Sequence, residues 1–203
     1  MKKLVIVLDP AHGENVAGKC SPDKTHYEYL WSRERCKALK SLLEDRGYRV
    51  VFTTDSINEP GLSKRKNFAS ALKVEKGQLK LLISPHNNAA GRGDNWMSAT
   101  GIEVWTSPGV TKSDECADII IDQLAKDFPD IKMRLNSSQY LQKDKEANFT
   151  VLMGADYMAV LIEWLFQDNK KDVELLKDVT VNKRFEKSLV EAIERINNHF
   201  SKV

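Results

Sequence analysis

Two histidines reach similar chemical settings by similar routes. LVIVLDPAHG (Leu4 to Gly13) runs from an apolar stretch through a polar residue and a proline to His12; LKLLISPHNN (Leu79 to Asn88) does the same for His86. A third apolar run, MAVLIEWLF (Met158 to Phe166), carries Glu163 past its midpoint. In open α/β sheets, ligands and chemistry collect at the carboxyl ends of the strands. Two imidazoles and a carboxylate on one such rim have the donor types of a metal site with a carboxylate beside it. That is the pattern expected of a zinc hydrolase.

Each of these residues has a plainer alternative. A lone rim histidine is most often bonded to a backbone carbonyl, but the paired approach to His12 and His86 favours a shared task. Gly13 directly after His12 permits a tight turn that aims the imidazole over the sheet edge. Glu163 lies between Ile162 and Trp164 in a run that reads as buried on both faces. A carboxylate there is costly unless it is paired, protonated or working. The alternative is a strand-end glutamate that has emerged into water, and Trp164 and Phe166 beyond it argue that the chain has not yet surfaced. A third ligand would come from Glu14, His26, Glu28 or Glu34. Glu14 is crowded against His12, and Glu34 lies well inside a helical stretch. Thr25-His26-Tyr27-Glu28 matches a capping box, in which Glu28 bonds back to the Thr25 amide at a helix start. From the local residues, cap and ligand both remain open for Glu28.

The elements that must position these groups alternate in the βα manner of a mainly parallel sheet. Apolar runs predict strands at residues 3–8, 48–53, 79–84, 101–106, 149–153 and 158–165. Helical spacing predicts helices at 27–46, closed by Gly47, at 62–76, closed by Gly77, and at 112–127. Phe185, Leu189, Ala192, Ile193, Ile196 and Phe200 mark one apolar face of a C-terminal helix. Residues 85–100 read as a loop, and 129–148 as a polar surface excursion over one end of the sheet. The expected fold class is α/β: a single twisted, mainly parallel (mixed) β-sheet of about six strands with helices on both faces. Residues 1–203 read as one domain, with no internal repeat, no low-complexity segment and no linker to a second module.

Composition narrows the function classes. With 41% hydrophobic and 30% charged residues, the chain can build a core and is not a disordered segment. Its net charge of +2, from 31 basic and 29 acidic residues, lacks the clustered basic excess of a nucleic-acid binder. Cys20, Cys36 and Cys116 are odd in number and far apart, so they form neither a disulfide framework nor a thiolate zinc site. They fit a reducing compartment. Met1-Lys2-Lys3 and the apolar run after it mimic the start of a signal peptide, but Asp9 and Pro10 interrupt the run and no small-residue cleavage site follows. No stretch approaches the roughly 20 apolar residues of a membrane span. A serine hydrolase of the α/β type is excluded by the lack of a G-x-S-x-G elbow.

The ordered motifs resemble the zinc-dependent N-acetylmuramoyl-L-alanine amidases of the type 3 group. DPAHG matches their D-x-G-H-G, with Ala11 in place of glycine. Glu28 opens a helix that ends at Gly47 and leads into RVVFTT, with Thr54 where arginine is usual. Leu62 to Arg65 matches L-x-x-R, SPHNN matches S-x-H-x-N, ATGIEVW matches S-G-x-E-V, and AVLIEWLFQDNKKD matches the closing motif. The segment GENVAGKCSPD after His12 also resembles the amidases of phage endolysins. The resemblance implies Zn2+ held by His12, Glu28 and His86, with Glu163 as the catalytic carboxylate. The implied reaction is hydrolysis of the amide joining the lactyl group of N-acetylmuramic acid to L-alanine of the peptidoglycan stem. Asn88 and Glu103 are candidate rim contacts for substrate, with plainer readings as loop and strand polar residues. Two other functions keep the same fold: a zinc peptidase acting within the stem peptide, and a catalytically silent wall-binding domain. A cytoplasmic enzyme without an export signal would reach the wall by release through a lysis pore.

Overall fold

The computed structural model describes residues 2–136 and 143–202. The chain runs β1 (Leu4–Leu8), α1 (Glu28–Glu44), β2 (Arg49–Phe52), α2 (Leu62–Ala71), β3 (Leu79–Asn88), β4 (Ile102–Thr106), α3 (Lys112–Asp127), β5 (Lys145–Glu146), a 3-10 turn (Thr150–Leu152), β6 (Met158–Phe166), α4 (Lys170–Lys177) and α5 (Val179–Ser201). Six strands form one sheet in the order β2-β1-β3-β6-β4-β5. All neighbours are parallel except β4 and β6, which run antiparallel. This is the mixed α/β sheet expected from the sequence.

Alternation along the strands divides the core between two faces. Leu4, Ile6, Leu8, Leu81 and Ile83 turn to α1, α3 and α5, where Leu39, Ile120 and Leu189 meet them. Val7, Leu82, Ala159 and Leu161 turn the other way, to Ala69 of α2 and to Val151 and Leu152 of the 3-10 turn. Trp164 stands over Phe185 at 4.2 Å between ring centroids and meets Phe128 edge-on at 4.7 Å, tying β6 to α5. From β1 the chain passes to β2 on one side and then to β3 on the other. That makes the carboxyl ends of β1 and β3 a topological switch point, the place where such sheets hold ligands.

Several expectations change. β3 extends to Asn88, so residues 85–88 are strand and the loop begins after them. Residues 149–153 form a 3-10 turn, because Val151 and Leu152 cap a core face and have no neighbouring strand to pair with. α2 ends at Ala71, before the predicted 76. The C-terminal helical stretch is two helices: the Asp178 side chain caps a new start by accepting from the Thr180 and Val181 amides. Part of the polar stretch 129–148 lies outside the described residues; within the rest, Met133 bridges Ile102 and β5 extends the sheet edge.

The loop after β1 is held from two sides. His12 itself adopts φ of +50°, a conformation costly for a non-glycine residue that surrounding contacts must sustain. Gly13 matters for a different reason from the turn expected of it: a Cβ there would lie 2.0 Å from the Glu59 amide nitrogen. Arg65, 1% exposed, donates to the Pro10 carbonyl and, at 2.8 Å, to the His12 carbonyl. It also pairs with Glu59 at 2.5 Å and with Asp9 at 3.4 Å. Arg33 adds bonds to the carbonyls of Ala11 (3.0 Å) and His12 (2.9 Å). Ser32 of α1 accepts from the Ala11 amide at 2.8 Å and donates to the Pro85 carbonyl at 2.6 Å, joining the approaches to both histidines. Arg65→Met leaves buried Asp9 and half-buried Glu59 without their cation, and should cost about 3–5 kcal/mol. Urea unfolding measures this; a loss below about 1 kcal/mol would show that the guanidinium is not what holds the loop.

Candidate functional site

His12, Glu28 and His86 converge although they come from a loop, a helix start and a strand. Glu28 Oε1 lies 2.9 Å from His86 Nδ1 and 3.4 Å from His12 Nε2. The two imidazoles stand edge to face, 5.0 Å between centroids. One donor atom from each of the three residues lies within 4.8 Å of the others, the only such group of His, Cys, Asp or Glu among the described residues. Donors around a tetrahedral ion at about 2.0–2.1 Å stand roughly 3.4 Å apart, so both Glu28 spacings are close to what one ion needs. Two nitrogens and one carboxylate oxygen make a donor set suited to zinc.

The capping role is not the one Glu28 takes. Tyr27 occupies the N-cap without a side-chain bond, and the Thr25 amide donates to Ser21 Oγ and Asp23 Oδ1 instead. Burial pushes the Glu28 carboxyl up, but the bonds from His12 and His86 outweigh it and hold the group well below the usual carboxylate range. Burial disfavours charge on His86, and the Glu28 carboxylate overrides this to raise the imidazole above its ordinary value. Of the other candidate ligands, Glu14 is exposed and accepts a 3.4 Å bond from Tyr29, and Glu34 sits 3.5 Å from Arg35. His26 is buried behind Glu28 and bonds Asn87 at 2.8 Å.

Glu163 sits directly across the ladder from His86 on one side and from Glu103 on the other. Opposed residues share a face, so the three side chains form a row across β3, β6 and β4. Glu163 Oε2 is buried without a hydrogen-bond partner. Burial pushes the carboxyl up to about 7; His86 opposes the rise, while the charges of Glu28 and Glu103 add to it. Just beyond, between the pairs His86–Glu163 and Asn88–Phe166, one residue of β3 (Asn87) faces two of β6 (Trp164 and Leu165), a bulge in which Leu165 takes φ of +62°. A cleft of about 450 Å³ opens over His86 and Glu163, lined also by His12, Lys19, Phe149 and Thr150.

Glu103 closes that row at the β4 end, and Asn88 bonds to it. Glu103 is 5% exposed and accepts four bonds: from Arg134 and Lys145 at 2.7 Å each, Asn88 Nδ2 at 3.0 Å and Trp105 Nε1 at 3.2 Å. Sequence reasoning passed over Asn87 and Gln167, both buried against Glu28. The Asn87 amide donates to Oε1 at 3.1 Å, and Gln167 Nε2 to Oε2 at 3.3 Å. Strand alternation could have flagged Asn87, since a buried asparagine on the face opposite His86 and Asn88 demands partners.

The chain matches the family model of the N-acetylmuramoyl-L-alanine amidases, Amidase_3, over residues 6–195. Among solved structures it is similar to the N-acetylmuramoyl-L-alanine amidase from Clostridium difficile 630, with 23% identity, a TM-score of 0.79, and coverage of 96% of this chain and 97% of that one. The catalytic domain of CwlV, an N-acetylmuramoyl-L-alanine amidase from Bacillus (Paenibacillus) polymyxa var. colistinus, gives 22% identity, a TM-score of 0.75, and coverage of 96% and 97%. The catalytic domain of the CD27L endolysin targeting Clostridia difficile gives 20%, 0.62, and coverage of 96% and 98%. At these identities the likeness is one of fold. No curated protein matches the chain. The family match spans nearly all of the sequence, and the chain therefore belongs to the type 3 N-acetylmuramoyl-L-alanine amidases.

Proposed function

We propose that the chain cuts the lactyl–L-alanine amide of peptidoglycan with a zinc ion held by His12, Glu28 and His86, and with Glu163 moving the protons. The observation that carries this is the buried, unpartnered Glu163 Oε2 one strand away from three converging donors. A bound zinc ion supplies Lewis acidity, which makes water a competent nucleophile near neutral pH and polarises a carbonyl. The chain's own groups do the rest. His12 and His86 offer ring nitrogens, and Glu28 stays anionic because its surroundings hold its carboxyl low. Glu163, poised near 7, can accept a proton from the attacking water and return it to the departing alanine amine. The amine must receive that proton, since an unprotonated amide nitrogen is a very poor leaving group.

Peptidoglycan would lie along the cleft between the His12 loop and the Phe149–Thr150 wall. Asn88 and Glu103 would serve the stem peptide indirectly: Glu103 is committed to its four donors, and what it presents to a ligand is the pair of cations it holds, Arg134 and Lys145. Action at the wall after release through a lysis pore suits the endolysin-like segment that follows His12.

Metal analysis of the purified protein should find about one zinc per chain, as in other open three-ligand sites. His12→Ala and His86→Ala should lose the metal while keeping the fold, and Glu28→Gln should bind it far more weakly. Full zinc occupancy in all three variants would rule out this ligand set. Digestion of cell walls should release L-alanine amino termini without new reducing ends. Reducing ends would mean a glycosidase, and new amines elsewhere in the stem a peptidase. Glu163→Gln keeps shape and ligands, so its zinc content and melting should match wild type while turnover falls at least about 10²–10⁴-fold. Near-normal turnover with zinc in place would remove Glu163 from the mechanism.

A further inference from the structure

Asn87 stands between the two halves of the site, and we infer that it is a positioning residue: it orients the Glu28 carboxylate and fixes the β6 bulge behind Glu163, with His26 holding it in that pose. The inference rests on the zinc site proposed above.

The argument begins with which atoms can donate. Asn87 Nδ2 lies 2.8 Å from the Trp164 carbonyl and 3.1 Å from the His86 carbonyl. Both carbonyls only accept, so the amide must present its nitrogen to them and its oxygen to His26. Asn87 Oδ1 is 2.8 Å from His26 Nε2 and can only accept there, so Nε2 carries the proton. Asn87 and His26 are 3% and 6% exposed, and water has little access to substitute for either partner. Asn87 therefore has one low-cost orientation.

Each bond reaches a different part of the site. The Asn87 backbone N–H donates to Glu28 Oε1 at 3.1 Å. Its side chain takes the carbonyl of Trp164, the residue after Glu163, where β3 and β6 fall out of register. His12 and His86 also point nitrogens at Glu28 Oε1, but nitrogens that ligate an ion must offer it their lone pairs. The donors then left to orient Glu28 are the Asn87 amide on Oε1 and Gln167 Nε2 on Oε2. His26, one of the candidate ligands by sequence, acts one layer further out, as the clamp on Asn87.

The test measures zinc affinity of the metal-free protein by competition with a chromophoric chelator, alongside melting of the same samples. Asn87→Ala keeps the backbone N–H on Glu28 Oε1 but cuts the side-chain ties to the Trp164 carbonyl and His26 that hold it in place, and should weaken zinc binding about 10–100-fold, the usual cost of losing support behind a metal ligand. His26→Phe fills the same space without an N–H and should weaken zinc in the same direction. His26→Gln reaches about as far, can still donate to Asn87 Oδ1, and should recover most of the affinity. At saturating zinc, Asn87→Ala should lower kcat with KM little changed, because Glu163 has shifted. Unchanged zinc affinity in folded Asn87→Ala overturns the inference. So does a His26→Gln protein as weak as His26→Phe, which would make the ring's bulk the active feature. Should Asn87→Ala fail to fold, the two His26 variants decide alone. A wild-type chain that takes up no zinc overturns the metal site and this role with it; a zinc-binding wild type with unaffected variants overturns this role alone.

Discussion

The site depends on a carboxylate removed from water. Glu28 is 1% exposed, and an ionised group in that setting is destabilising unless surrounding donors replace its hydration. The fold supplies donors from separate segments: the loop after β1 through His12, β3 through His86 and the Asn87 amide, and the end of β6 through Gln167. None of these is near Glu28 in sequence except His12. Closing the sheet in its β2-β1-β3-β6 order is what brings them together, so the satisfaction of one buried charge is coupled to correct tertiary structure.

The antiparallel placement of β4 extends that logic. Had β4 run parallel like the rest, the register that sets Glu103 opposite Glu163 would be lost. As it stands, two carboxylates face each other across one ladder, and they are kept from behaving alike by their neighbours. Glu103 is surrounded by Arg134, Lys145, Asn88 and Trp105, and burial, the largest influence, is outweighed by the two cations that hold its carboxyl low. Glu163 has no such partner at Oε2 and is pushed up. Separating two carboxylates in this way is how one site can hold a fixed charge and a mobile proton together.

Much of this was legible in the sequence because it follows from short-range pattern. The apolar runs ending in DPAH and SPH placed both histidines at strand ends, and the apolar flanks of Glu163 announced a buried carboxylate. What was not legible depends on distant partners. The capping-box match at Thr25 is a statement about four residues. It lost to Ser21 and Asp23, which bind the Thr25 amide, and to the imidazoles that claim the Glu28 carboxylate. Residues 149–153 have strand composition, yet their apolar side chains cover a sheet face and extend no sheet. Arg65 belongs to a recognisable motif, but its burial among the carbonyls of Pro10 and His12 becomes visible only when α2 packs beneath the β1 loop.

The bulge in β6 has an arithmetical consequence. Residues four apart on a regular strand point the same way, so Glu163 and Gln167 would both look into the cleft. The extra residue at Trp164–Leu165 changes the parity of everything after it: Phe166 pairs with Asn88 and stays with Glu163, while Gln167 is turned to the α1 side, where it meets Glu28. One strand end thus serves both sides of its own sheet, offering the unpartnered Glu163 carboxyl to one and a donor for the buried Glu28 carboxylate to the other. The strained φ of Leu165 is the local cost of that change of phase. A strand that ran on regularly through Trp164 and Leu165 would keep every side chain the site uses and still present Gln167 to the wrong side.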